Sequence, residues 1–320
     1  MKRVLADVSR SFSLSLRLLP KEMRSATSLG YLLARASDTL ADVAEAAPDR
    51  RLAWLDGLAA DVAEGAARCG AWRDEALAAM DATPPGERPR AHRGEQVLLS
   101  RFDDCLAWLT ELPDGEAAAV RRVLATIVSG QRLDIERFGQ ATRENPVVLS
   151  EEELDDYTFR VAGCVGRFWT QLGMLTLGTR FTNVAREELE NQDVEFGKAL
   201  QMVNILRDLP ADLAAGRCYL PVADPHDRQG LLSAHREWVG RTASAVKAGS
   251  AYSLMLKGIR LRAATLLPAL LAEKTLGLLE EITWEQLEQR PKISRAEVRR
   301  QMFEAFKSAI LLPEISEGNG

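Results

Sequence analysis

The chain has 320 residues, of which 46% are hydrophobic and 27% are charged, so it can bury a large core and is not disordered. Its net charge of −5 argues against a nucleic-acid partner, because phosphate binding depends on clustered lysine and arginine. The cysteines are Cys69, Cys105, Cys164 and Cys218. They lie far apart, without a histidine at ligand spacing, so neither a disulfide framework nor a structural zinc site is predicted.

The N-terminal sequence MKRVLADVSRSFSLSLRLLP begins with basic residues, but serines and arginines interrupt its apolar positions. It is therefore a poor signal peptide. No stretch approaches the roughly 18 uninterrupted apolar residues of a membrane-spanning helix. We expect a soluble, cytoplasmic protein that can make peripheral contact with a membrane.

Apolar residues repeat at intervals of three or four along the chain, as in Leu52, Leu55, Leu58 and Val62. This period is typical of helices, and no run of alternating β-branched residues is long enough to indicate a sheet. Proline- and glycine-rich breaks fall at residues 82–94, 139–153 and 216–230. The pattern predicts an all-α chain: one domain of about ten helices over residues 1–312, followed by a frayed tail at 313–320.

A polar stripe crosses the first strongly helical segment, GYLLARASDTLAD. Tyr31, Arg35, Asp38 and Asp42 lie at positions i, i+4, i+7 and i+11, so they share one face of the helix. The helix is otherwise apolar. A polar stripe of this kind needs a solvated face or a ligand.

A second segment, LQMVNILRDLPADL, repeats the design. Gln201, Asn204, Asp208 and Asp212 lie at i, i+3, i+7 and i+11, again on one face. The two aspartates repel each other and need a neutralising partner. Mg²⁺ prefers oxygen ligands and is usually held by one or two carboxylates plus phosphate oxygens. Spacing alone leaves open both a solvated face and a metal–diphosphate site, to which Arg35 and Arg207 would add phosphate donors.

These motifs resemble those of the squalene and phytoene synthase family. The resemblance runs through SFSLSLRLLP, YLLARASDTLAD, YTFRVAGCVG and LQMVNILRDLPADLAAGRCYLP, and extends to PKISRAEV near residue 295. It implies the single-domain helical isoprenoid synthase fold, of type I, with a central apolar cavity. Asp38, Asp42, Asp208 and Asp212 match the two aspartate-rich motifs of the family, which implies that they bind Mg²⁺ and take part in catalysis.

Further site residues follow from the same resemblance. The substrate-binding positions that match are Arg10, Ser11, Phe12, Ser13, Tyr31, Arg35, Gln201, Asn204 and Arg207. Tyr157 matches a catalytic tyrosine implicated in the later half-reaction. Outside the resemblance, the serines also fit helix caps and the tyrosines fit core positions. The glycines of VAGCVG indicate a close approach of two helices or of an isoprenoid chain.

Three positions depart from the family pattern. Pro210 stands between the second pair of aspartates, where it removes a backbone donor and is expected to kink the helix near Leu206. Thr275 stands where many relatives have a tyrosine, and Arg160 is closer to bacterial and phytoene-type sequences. The relative placement of Asp208 and Asp212 is therefore the least predictable part of the site.

The implied reaction is the Mg²⁺-dependent head-to-head condensation of two farnesyl diphosphates, through presqualene diphosphate, to squalene. NADPH would be the reductant if the product is squalene. The alternatives are a phytoene synthase acting on two geranylgeranyl diphosphates, and a hydroxysqualene or dehydrosqualene synthase. A non-catalytic helical assembly factor is a third possibility, against which the intact aspartate pairs argue.

Overall fold

The computed structural model describes residues 4–5, 8, 16–43, 46–66, 70–82 and 92–311. Within these ranges nearly all regular structure is helical, so the all-α prediction is confirmed. No helix in the described ranges is long and apolar enough to cross a bilayer. The chain divides into two compact units, the first mainly residues 21–139 and the second mainly residues 140–311. The single-domain organisation of 1–312 stays a prediction, and 313–320 lie outside the described residues.

The first unit is built around its first described long helix. Its helices are α1 (Lys21–Ala41), α2 (Pro48–Glu64), α3 (Ala71–Ala82), α4 (His92–Ser100), α5 (Phe102–Glu111) and α6 (Asp114–Phe138). α1 packs chiefly against α6, and its apolar face is fully buried through Leu29, Leu33 and Leu40. The residues of the first stripe are less buried: Tyr31, Arg35 and Asp38 are half-buried and Asp42 is exposed.

Local sequence explains where helices of this unit begin and end. Pro48 occupies the first turn of α2, where its missing N–H has no helical partner to lose. Gly65 ends the same helix with a φ of 74°, a left-handed conformation that glycine adopts without steric cost. Pro113 is the N-cap residue immediately before α6. The predicted break after residue 82 coincides with the end of α3.

The second unit contains the remaining helices and a short sheet. Its helices are α7 (Glu151–Thr158), α8 (Cys164–Leu177), α9 (Arg186–Ala214), α10 (Arg228–Leu254), α11 (Ile259–Gly277), α12 (Trp284–Glu288) and α13 (Arg295–Leu311). A π-helical turn, Phe159–Gly163, joins α7 to α8, and a 3₁₀ turn, Gly178–Arg180, follows α8. The 29-residue α9 packs against α8, α10 and α12.

Two strands of two residues each form a parallel pair in this unit. β1 (Val147–Val148) pairs with β2 (Arg217–Cys218), with Val147 opposite Arg217. Sequence periodicity did not predict them, because two residues are too few to show an alternation. The pair ties the segment before α7 to the segment after α9.

Glycines allow α9 to approach α8 and the π-helical turn closely. A β-carbon on Gly166 would lie 1.9 Å from the backbone oxygen of Asp193, and one on Gly197 would lie 2.4 Å from that of Ala162. Both distances are shorter than any real contact, so larger side chains would force the helices apart. The close helix approach predicted from VAGCVG is confirmed.

Candidate functional site

The first aspartate pair lies at the C-terminal end of α1. Asp38 is partly buried, and the side-chain amide of Gln131 on α6 donates a 2.6 Å hydrogen bond to its Oδ1. Burial, and next the charge of Asp42, raise the pKa of Asp38 to about 6, although Arg35 and Gln131 oppose the shift. Asp42 lies just beyond the helix and is exposed. The first pair therefore joins one sheltered carboxyl group to one exposed carboxyl group.

The other members of the first stripe are also engaged. Arg35 forms an ion pair with Glu95, a buried residue of α4. The Tyr31 hydroxyl donates a 3.1 Å hydrogen bond to the backbone oxygen of Val8. Arg10, Ser11, Phe12 and Ser13, which the sequence predicts to bind substrate, lie outside the described residues. The spacing of the stripe did not predict Glu95 and Gln131, which lie on other helices.

The second aspartate pair lies near the C-terminal end of α9, and arginines already neutralise it. Arg207 donates two hydrogen bonds to Asp208, at 3.1 Å to Oδ1 and 2.6 Å to Oδ2. Arg290 donates a third, at 3.1 Å to Oδ1. Burial would raise the pKa of Asp208, but the hydrogen bonds and charges of these arginines outweigh it and lower the pKa. Asp208 is thus held ionised.

Asp212 has an arginine of its own. Arg217, the first residue of β2, donates a 2.8 Å hydrogen bond to Asp212 Oδ1. Burial raises the pKa of Asp212 nonetheless, since the opposing effect of Arg217 is smaller. Asp208 and Asp212 repel each other, and the positive charges of Arg207, Arg290 and Arg217 offset this repulsion.

Two of these three arginines were not predicted from the sequence. Arg217 follows Asp212 by five residues and belongs to the GRCYLP segment. This short separation in sequence could have predicted that the two side chains are neighbours. Arg290 follows Asp208 by 82 residues, and nothing in the local sequence links them. Arg290 also has a φ of 52°, which is uncommon for a residue with a side chain.

The remaining polar residues of the second stripe lie one and two turns before Asp208. The Asn204 side chain donates a 3.4 Å hydrogen bond to Gln201. α9 continues through Pro210 to Ala214, so Asp208 and Asp212 share one continuous helix. The stripe thus keeps the one-face arrangement predicted from its spacing.

Tyr157 lies in the last turn of α7, with its ring stacked on that of Tyr219. The ring centroids are 5.0 Å apart and the planes differ by 25°. Tyr219 is buried and directly follows β2. α7 begins with a capping box in which Ser150 and Glu153 satisfy each other's backbone N–H groups. The strand pair β1–β2 therefore anchors both the start of the helix that carries Tyr157 and the ring beneath it.

The aspartate pairs suit a metal that takes further ligands from a substrate. Among the described residues, no group of three or more histidine, cysteine, aspartate or glutamate side chains converges on one point. A pair of carboxylates matches what Mg²⁺ usually takes from a protein when phosphate oxygens and waters complete its octahedron. The donor set fits Mg²⁺ together with a diphosphate, and does not fit a closed, all-protein metal site.

Sequence comparison then decides the family. The squalene/phytoene synthase profile matches residues 5–297, nearly the whole chain. The chain belongs to the squalene/phytoene synthase family. A presqualene diphosphate synthase from Zymomonas mobilis is 28% identical over 224 residues, which cover 70% of this chain and 60% of that protein. A phytoene synthase from Thermus thermophilus is 29% identical over 234 residues, which cover 73% of this chain and 60% of that protein. The matches thus span about 60% of the length of these relatives.

Solved structures of the same family share the fold. TcSQS bound to a ligand superimposes with a TM-score of 0.73 at 20% identity, covering 97% of this chain and 88% of that chain. Squalene synthase HpnC from Alicyclobacillus acidocaldarius gives a TM-score of 0.55 at 21% identity, covering 94% and 92%. The helical isoprenoid synthase fold expected from the motifs is confirmed.

Proposed function

We propose that this member of the squalene/phytoene synthase family is a prenyltransferase that condenses two farnesyl diphosphates head to head. The reaction would pass through presqualene diphosphate to squalene. The observation that carries the proposal is the pair of aspartate stripes, each on one helix face and each next to arginine. Such groups bind the diphosphate of an allylic substrate and stabilise the charge that develops as it departs.

Asp38 and Asp42 would hold Mg²⁺ in the first unit, and Asp208 and Asp212 would hold it in the second. The metal would neutralise the departing diphosphate as a Lewis acid. Tyr31, Arg35, Gln201 and Asn204 would bind substrate from the same helix faces. Arg10, Ser11, Phe12 and Ser13 keep the diphosphate-binding role that the family resemblance implies.

The arginines give the second pair a specific way to respond to substrate. Arg207, Arg290 and Arg217 now donate to carboxylate oxygens. A diphosphate presents more charge and more acceptor oxygens than a carboxylate, and arginine binds it with two parallel bonds. Transfer of these donors to the diphosphate would free carboxylate oxygens for metal. Substrate and Mg²⁺ would then bind cooperatively.

Tyr157 would act in the second half-reaction. A phenol beside a carbocation can orient a diphosphate, move a proton or stabilise charge through its ring. The stack on Tyr219 would hold the Tyr157 ring in one orientation. NADPH would supply hydride if the product is squalene, and the hydrocarbon product would favour peripheral contact with a membrane.

A phytoene synthase acting on geranylgeranyl diphosphate is the second candidate. It is supported by the similarity to the Thermus thermophilus phytoene synthase, which nearly equals the similarity to the presqualene diphosphate synthase. A hydroxysqualene or dehydrosqualene synthase would use the same site with a different final step. A non-catalytic assembly factor would have no need of both aspartate pairs and their arginines.

The deciding experiment uses the purified chain with Mg²⁺ and either farnesyl or geranylgeranyl diphosphate, with and without NADPH. Extracted products are identified by mass spectrometry. Squalene from farnesyl diphosphate with NADPH is the expected result. Phytoene from geranylgeranyl diphosphate alone would favour the second candidate, and no product from either substrate would overturn the proposed activity.

A further inference from the structure

Helix α13 buries one polar and two small side chains most deeply, and the larger Val298, Met302 and Phe306 beside them are half-buried. The residues it buries are Gln301, Ala305 and Ala309, which recur every four residues on one face. That face lies against α11, and the Arg262 guanidinium donates a 3.3 Å hydrogen bond to the Ala309 backbone oxygen. The packing of α13 against α11 therefore does not use Phe303, Ile310 or Leu311.

The opposite side of α13 exposes three bulky apolar side chains. Phe303 is 68% exposed, Ile310 is 61% exposed and Leu311 is 67% exposed. Phe303 and Ile310 lie seven residues apart, two helical turns, and so share one face. An amphipathic helix of a globular domain ordinarily turns such residues inward, so several exposed on one side of a helix indicate an interaction surface.

The neighbouring helix α11 also begins with an exposed apolar residue. The Arg262–Ala309 hydrogen bond places the start of α11 beside the end of α13. Ile259, the first residue of α11, is 46% exposed at that end. We call Phe303, Ile310 and Leu311 the α13 surface.

Basic residues surround the α13 surface. α13 carries Arg295, Arg299, Arg300 and Lys307, against only two acidic residues, Glu297 and Glu304. Arg299, Arg300 and Lys307 are exposed, and they fall on the same side of the helix as Phe303. This excess of positive charge runs against the net charge of −5 of the whole chain. The ion pairs of Arg300 with Glu297 and of Lys307 with Glu304, both 3.7 Å long, lie at the surface and hold these cations weakly.

We propose that the α13 surface docks the protein on an anionic lipid bilayer, with α13 lying in the plane of the interface. Phe303, Ile310 and Leu311 would enter the boundary between headgroups and acyl chains. Arg299, Arg300 and Lys307 would contact lipid phosphates. This combination of an exposed apolar stripe and flanking cations is what interfacial helices use, and it needs no spanning segment. The inference rests on the surface alone and does not depend on the proposed reaction.

Vesicle flotation of the full chain tests the proposal. Vesicles of phosphatidylcholine alone are compared with vesicles that also contain phosphatidylglycerol, at low and high salt. We expect flotation with the anionic vesicles that weakens as salt rises, because salt screens the charge contribution. The double variant Phe303→Ser/Ile310→Ser should lower the bound fraction about tenfold or more, since two buried apolar side chains are lost.

Two further variants separate the contribution of charge to vesicle binding from that of apolar side chains. Arg299→Gln/Arg300→Gln should remove the preference for anionic vesicles while leaving the thermal midpoint unchanged. Leu175→Ser alters another exposed leucine, on α8, which is 54% exposed, and should float as the wild type does. Equal thermal midpoints in all variants would show that folding is retained.

Three outcomes would overturn the proposal. The first is a wild-type chain that stays unbound with both kinds of vesicle, and the second is a Phe303→Ser/Ile310→Ser variant that floats as well as the wild type. The third is a dimer in light scattering that dissociates in this variant while flotation is unchanged, which would assign the surface to a second copy of the chain.

Discussion

The buried ring of His235 takes the place of the backbone donor that Pro210 lacks. Proline has no N–H, so the Leu206 carbonyl one turn earlier in α9 loses its helical partner. His235 Nε2, on α10, lies 3.1 Å from that carbonyl oxygen. His235 is fully buried, and burial lowers its pKa, so the neutral ring donates from Nε2. A side chain from another helix thus supports the turn of α9 from Leu206 to Pro210, which contains Asp208.

We expect His235→Ala to destabilise the protein by about 2 to 4 kcal/mol, from an unsatisfied carbonyl and a cavity. In the Pro210→Ala background the backbone N–H of residue 210 can bond Leu206 again. There the same His235→Ala change should cost at least about 1 kcal/mol less. Denaturant unfolding of the four proteins of this cycle measures the difference, and an equal cost in both backgrounds would refute the replacement.

Replacing either sheltered aspartate should remove the first ionisation. Asp38→Asn and Asp208→Asn keep size but lose the charge that binds metal, and we expect formation of presqualene diphosphate to fall by more than about 100-fold. The amide oxygen introduced by Asp38→Asn can still accept the hydrogen bond from Gln131, so helical content should persist. Product assays and circular dichroism are the measurements, with Asp74→Asn on the exposed side of α3 as the control. Near-normal turnover in both variants would exclude the metal site.

Tyr157→Phe should separate the two half-reactions. The variant keeps the ring stacked on Tyr219 and removes only the hydroxyl, so presqualene diphosphate should accumulate at the expense of the final product. Tyr219→Leu removes the stack and should shift the ratio in the same direction, whereas Tyr219→Phe keeps it. Both species are quantified in one assay. If Tyr157 is only a packing residue, Tyr157→Phe should lower the free energy of unfolding by about 1 kcal/mol and leave the ratio of presqualene diphosphate to final product unaltered.

Asp193→Asn should stabilise the protein in a pH-dependent way. Asp193 is buried on α9, and no described side chain makes a well-formed hydrogen bond to its carboxylate. Burial raises its pKa to about 6, a shift that Glu190 reinforces, while the nearby Thr170 hydroxyl and the charge of Arg167 only partly oppose it. A raised pKa favours the folded state at low pH, and that advantage is lost as pH rises through about 6.

The Asp193→Asn variant removes the buried charge. Its free energy of unfolding should therefore exceed that of the wild type at high pH, where the wild-type carboxylate is charged. We expect an increase on the order of 2 kcal/mol at about pH 8 that disappears near about pH 4, where the wild-type group is largely protonated. Thermal unfolding across pH, with Glu187→Gln at the exposed start of α9 as the control, measures this. A gain that is constant with pH would contradict the assignment.

The helices and the two aspartate stripes were determined by the sequence itself, because residues at i, i+4, i+7 and i+11 share a helix face wherever the helix lies. The family motifs likewise predict Asp38 and Asp208 as site residues. Local sequence did not indicate what each carboxylate touches. Gln131 reaches Asp38 across 93 residues and Arg290 reaches Asp208 across 82, and neither pair has a periodic relation.

Only the tertiary structure brought together the partners that control the site. His235 meets Leu206 across 29 residues because α9 and α10 pack side by side, and Tyr219 meets Tyr157 because β1 and β2 pair. The outward face of α13 was equally hidden, since Phe303 and Ala305 both fit a helical pattern. Whether Phe303 or Ala305 packs against α11 depends on how closely the two helices approach. That distance is set by packing between helices and not by the periodicity within one helix.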